Sequence, residues 1–167
     1  MSMNTALLAE LKHESVNTKR LIECVPPDNL DWTPHEKSMK IGKLAKHIAE
    51  LPVWIGRIIN AEEFDFASEN YNSESKESKD DILKLLDEKL AEAISVLETV
   101  SDENLNKKWL VKRGGQVMFE LPKKIAIRSF TYNHIYHHRG QLSVYLRLLD
   151  IPVPGMYGPS ADENFFK

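Results

Sequence analysis

The stretch Asn133-His134-Ile135-Tyr136-His137-His138-Arg139-Gly140-Gln141-Leu142 carries three of the chain's six histidines within five residues. It lies in a longer segment, from Leu121-Pro122 to about Asp150, that reads as one helix. Proline is well placed in a first turn, and Pro152 and Pro154 stop the segment. His134 and His138 are four apart, so on a helix they stand one turn above each other on a single face. Two imidazoles so placed can close on one metal ion. A third ligand must then come from another helix, and His47 is the candidate.

Counting about 100° per residue from His134 places Ile127, His138, Tyr145 and Leu149 within roughly 60° on one side. Phe130 and Leu148 fall about 40° to the other side, so the histidine pair sits on the apolar stripe. His137 is about 60° off, on the flank of that stripe, and Arg139 and Gly140 point away from it. His47 shares the apolar side of its own helix with Leu44, Leu51 and Ile58. Three imidazoles facing one interior each need a partner, since an unsatisfied buried polar group costs about 1–3 kcal/mol. One shared metal satisfies all three. The competing interpretation is ordinary: a buried histidine is more often a hydrogen-bonded core residue than a ligand, and HxxxH spacing also arises by chance.

Three further helical segments precede this one. In the first, Leu7, Leu8, Leu11, Ser15, Thr18, Ile22 and Val25 share a face, and Pro26-Pro27 ends it. The second runs from about Lys40 to Glu62, with Pro52 predicting a kink or loosened turn. The third starts at Ser78, where Asp81 completes a capping-box-like signal, and carries Ile82, Leu85, Leu86, Leu90, Ala93, Leu97 and Val100. Between the second and third, the polar stretch from about Glu63 to Ser78 reads as a long crossover loop. Around Gly114-Gly115, Trp109-Leu110-Val111 and Gln116-Val117-Met118-Phe119 can pair as a small hairpin.

The 167 residues suit one domain, 1–167, with a single core. A net charge of -3 with scattered Lys and Arg argues against nucleic acid as a partner. No apolar run approaches the length of a membrane span, and the N-terminal residues lack a signal-peptide pattern. A cytoplasmic protein is the default expectation. Cys24 is the single cysteine, which excludes an internal disulfide and a thiolate cluster, and its place near a helix end suits packing. Glu10 and His13 spell a di-iron bundle element, but that site needs two such motifs facing inward, and here there is one, facing outward. His35 lies in a polar connection and reads as a surface residue.

The sequence resembles the DinB-like (damage-inducible) superfamily of small four-helix metalloproteins, related to the bacillithiol and mycothiol S-transferases. The resemblance is carried by Asp31-Trp32-Thr33-Pro34, by Ser38 through Leu51 with His47 at its centre, by His134 through Leu142, and by the ending Pro152 through Glu163. It covers essentially the whole chain. It implies an all-α four-helix bundle, up-down-down-up, with a long crossover between helices 2 and 3. It also implies a divalent metal on His47, His134 and His138, and a homodimer.

Three functions suit these residues. The first is an enzyme in which the ion, zinc or nickel, activates a low-molecular-weight thiol for transfer to an electrophile; Glu50 and Gln141 are then candidates to orient ligands or polarise substrate. A metal-dependent hydrolase using water fits the same residues. The second is a non-catalytic metal-binding or stress-response protein. The third is an interaction module whose histidines are packed core. Imidazole alone does not select the metal.

Overall fold

The computed structural model describes residues 2–68 and 77–164. The first helix, α1 (Met3–Glu23), buries Leu7, Leu11, Leu21 and Ile22 and ends before Pro26-Pro27. The second segment is cut in two at Pro52, into α2 (Ile41–Glu50) and α3 (Val53–Asn60). Proline has no N–H to donate, and the chain crosses the break on tighter bonds, Leu51 N–H to Ile48 and Trp54 N–H to Leu51. The expected loosening at Pro52 is therefore a complete interruption. At α4 (Lys79–Thr99) the capping box is present in full: Ser78 Oγ accepts from the Asp81 amide, and the Asp81 carboxylate accepts from the Ser78 amide.

The all-α four-helix-bundle expectation, up-down-down-up, is overturned. The described residues hold five helices of eight residues or more, α1, α2, α3, α4 and α7 (Asn133–Leu148), together with short α5 (Asp102–Asn106) and α6 (Lys123–Ile127) and a three-stranded mixed sheet. The hairpin forms as its residues suggest: β2 (Lys108–Arg113) runs antiparallel to β3 (Gln116–Pro122), with Gly114 and Gly115 at φ 60° and 80° in the turn. Those left-handed values suit glycine, which has no Cβ to clash. A third strand, β1 (Glu63–Asp65), pairs parallel to β2 with Phe64 opposite Val111. The crossover is thus not all loop: its first residues enter the sheet and continue as a 3-10 turn, Phe66–Ser68. Its polar part, residues 69–76, lies outside the described residues. The Asp65 carboxylate accepts the amides of Ala67, Gly114 and Gly115, so β1 also fixes the hairpin turn.

The last long segment is one rod made of α6, a π-helical turn (Arg128–Tyr132) and α7. Its two halves pack differently, α6 against α3, α5 and the sheet, and α7 against α1 and α2. At the π turn Phe130 meets Trp54 (5.2 Å between ring centres) and Trp109 (5.4 Å), and Trp54 meets Phe64 (4.7 Å). These rings join α3, the sheet and the rod. Buried Lys123 gives its ammonium to the Ile59 carbonyl at 2.8 Å, closing the open end of α3. Among the described residues no helix is long and apolar enough to cross a membrane.

Candidate metal centre

His47 sits in the last turn of α2, and His134 and His138 in the first two turns of α7. Leu44, Ala45 and Ile48 are buried beneath α2, and Ile135 and Leu142 beneath α7, so packing of these apolar faces turns the imidazoles toward one point. The Nε2 atoms of His47 and His134 are 3.3 Å apart. The three rings lie 4.7–5.0 Å from one another, centre to centre. One ring nitrogen of each histidine falls within 4.8 Å of the others. Two imidazole nitrogens on a tetrahedral ion, at ~2.0–2.1 Å each, stand about 3.3 Å apart, so the donor spacing fits a metal.

The electrostatics favour the ligand form of each ring. Burial pushes the His47 imidazolium down to about 4, helped by the charges that His138 and His134 would carry and by Lys43. Burial also lowers His134, as does His138, against a hydrogen bond to the Phe130 backbone that works the other way. His138 is lowered by burial, partly opposed by its bond to Gln141. Neutral imidazoles with free lone pairs are what a divalent ion binds. His138 Nδ1 donates to Gln141 Oε1 at 2.7 Å, the acceptor fixing the tautomer that leaves Nε2 for the centre. His138 is buried, whereas His47 and His134 are half-buried.

Glu50 directs its carboxylate toward Lys46, 3.9 Å away, beside Glu77, and burial raises its pKa. His137 is exposed, its ring 4.9 Å from that of His138. His13 and His35 are exposed. Glu10 accepts from Arg128 and from the Tyr136 hydroxyl, at 2.9 Å for the latter. The Cys24 thiol donates to the Arg20 carbonyl, and burial pushes its pKa up, away from a reactive thiolate.

Two helical-wheel expectations, for Arg139 and Leu148, are corrected. Arg139 does not point away from the interior; it is 3% exposed and pairs with Glu14 of α1, with further bonds to Thr18 and Tyr157. Leu148, placed on the stripe, is 58% exposed. The buried face of α7 is turned because α1 covers one flank of it as α2 covers the other. The sequence reading also missed a cleft of about 500 Å³ lined by Phe119, Leu121, Ser129, Phe130, Asn133 and His134. Two thirds of that wall, Phe119, Leu121, Ser129 and Phe130, comes from β3 and the π turn, which no helical repeat announces.

The DinB family profile matches residues 1–164. A segment of 38 residues is 42% identical to the uncharacterised protein YrdA of Bacillus subtilis (strain 168), and it spans 23% of the length of each chain. Two crystal structures are similar in fold. A DinB-like protein from Bacillus cereus ATCC 10987 aligns over 90% of this chain and 95% of its own, with a TM-score of 0.70 at 21% identity. A DinB-like protein from Bacillus subtilis aligns over 88% and 96%, with a TM-score of 0.67 at 20% identity.

Proposed function

The chain belongs to the DinB family, and from that premise we propose that it is a metal-dependent enzyme that joins a low-molecular-weight thiol to an electrophile. The observation that carries the reading is the convergence of three imidazoles from two helices at the end of an open cleft. His47, His134 and His138 would hold one divalent ion, zinc or nickel. When bound, such an ion acts as a Lewis acid that lowers the pKa of an exogenous ligand toward neutrality.

The chain's own residues account for the rest. Three neutral imidazoles would leave a bound ion's charge uncancelled, which would favour a small anionic ligand such as a thiolate. His47 and His134 are only half-buried, so an ion held there would be reachable from solvent, as in a catalytic rather than a closed structural site. Gln141 holds the His138 ring in register. Cys24, the single cysteine, is elsewhere and poorly acidic, so the attacking sulfur is supplied by a small molecule. In the transfer, that sulfur gives up its proton to solvent and forms a bond to carbon. The leaving group departs with the electron pair of the bond that breaks.

Untagged protein should contain close to one equivalent of zinc or nickel by elemental analysis, and should transfer a thiol to an electrophile in a screen of several of each. His138→Ala should weaken metal binding by more than about a hundredfold and remove turnover. Turnover that survives in His138→Ala, or in metal-stripped protein, overturns the reading. Metal binding with hydrolysis but no thiol transfer would favour water as the nucleophile instead.

A further inference from the structure

The cleft beside His134 restricts what the centre can act on. Its lining residues are Phe119 and Leu121 from β3, Ser129 and Phe130 from the π turn, and Asn133 and His134 from α7. None is an acid, a lysine or an arginine, so an anionic group seated against this wall, away from the imidazoles, finds no side-chain counter-charge and loses its hydration. The wall is aromatic and bare: Phe119 is 44% exposed, and its ring stacks on that of Phe130 at 6.3 Å and 26° between planes. Ser129 and Asn133 are exposed, and neither side chain has a hydrogen-bond partner among the described residues. Both are therefore available to a neutral donor or acceptor. A volume of about 500 Å³ is within the ordinary range for a small organic molecule.

We propose that this cleft binds the substrate's organic part, and that it selects a neutral molecule with an aromatic body. The ring lies against Phe119 and Phe130, and a neutral polar substituent meets Asn133 or Ser129. The end near His134 then presents its reactive atom to the imidazoles. Only this last placement rests on the metal reading above. Selection against anions and dependence on Phe119 stand on the cleft alone.

The test uses two fluorescent probes with the same anilinonaphthalene body: neutral N-phenyl-1-naphthylamine and the anionic 8-anilinonaphthalene-1-sulfonate. The metal-stripped full chain, in which no cation faces the sulfonate, should bind the neutral probe at least about tenfold more tightly, in line with the cost of desolvating an unpaired sulfonate. Phe119→Ala should weaken the neutral probe by about tenfold, as expected when one stacking ring and its area are lost. Phe119→Leu should restore only part of the affinity. Val117→Ala, two residues along the same strand and outside the cleft, should leave it unchanged. Equal or tighter binding of the sulfonate, or a neutral-probe affinity indifferent to Phe119→Ala, overturns the proposal. His138→Ala separates the two readings. If it loses metal yet still binds the neutral probe in a Phe119-dependent way, both readings stand. If the wild-type chain takes up no metal but passes the probe test, the cleft stands without the metal. If metal binds and the probes do not discriminate, the metal stands without this specificity.

Discussion

His138 and Arg139 are neighbours in the chain, both buried, and they meet opposite circumstances. Arg139 enters a closed account of charge: Glu14 neutralises it, and the Glu14 carbonyl, Thr18 and Tyr157 take further bonds. His138 turns the other way, toward two more imidazoles that share its sign when protonated and can offer it no counter-charge. Both clusters bury polar atoms, so burial alone distinguishes nothing. The difference lies in whether the protein supplies the complement. Where it does, the cluster holds helices together; where it does not, the missing complement is the reason to look for a ligand.

That contrast can be broken or sharpened by experiment. The largest effect is expected from Arg139→Ala, which strands the Glu14 carboxylate against α7. Stability measured by denaturant unfolding should fall by about 3–5 kcal/mol, with metal affinity per folded molecule little changed. Gln141→Ala comes next and reverses the pattern. Removing the acceptor for His138 Nδ1 should weaken metal binding by about 10–100-fold while the metal-free fold is nearly unaffected.

A smaller effect is expected from pH in the metal-free protein. The folded His47 pKa is pushed down to about 4 from its ordinary 6.5. Above 6.5 neither state takes up the proton. As pH falls from 6.5 toward 4 the unfolded chain binds it and the folded chain does not, so stability drops across that window and levels off below it. Denaturation midpoints at pH 7.5, 5.5 and 4.5 should therefore decline in order for the metal-free wild type, and less steeply for His47→Ala. The smallest effect belongs to His137→Ala. Its ring is exposed and outside the set of three, so metal affinity should stay within about threefold. A larger loss would bring His137 into the centre and redraw the boundary of the unsatisfied cluster.

Much of the centre was legible beforehand, because helical spacing is a strong constraint. The four-residue step from His134 to His138 and the apolar company of His47 pointed to the three rings that the fold brings together, without deciding between a metal and a packed core. Local signals with a single physical cause also read true at the Ser78–Asp81 cap and the glycine turn at 114–115, whereas the kink expected at Pro52 is a full break between two helices. What escaped was non-local or unmarked. β1 has three residues, too few for an alternating pattern, and its partner Leu110–Lys112 is more than forty residues away. Nothing in Arg128-Ser129-Phe130-Thr131-Tyr132 announces a π turn, since it contains neither proline nor glycine. Arg139 was misplaced because its burial depends on Glu14 of α1, a pairing visible only once the two helices are side by side. The family resemblance named the three histidines that stand together but not the architecture, since a bundle leaves no place for the sheet that walls the cleft.

The wider helical turn at Arg128–Tyr132 accommodates one surplus residue in an otherwise regular rod. Its upstream half answers to the strands and its downstream half to the imidazoles, so the turn works like the gear between two shafts set at different angles. Excising that residue would wind the rod back by about 100° on one side of the splice. Either the aromatic joint or the trio of rings would then be carried out of mesh, and no single side-chain replacement elsewhere could restore both at once.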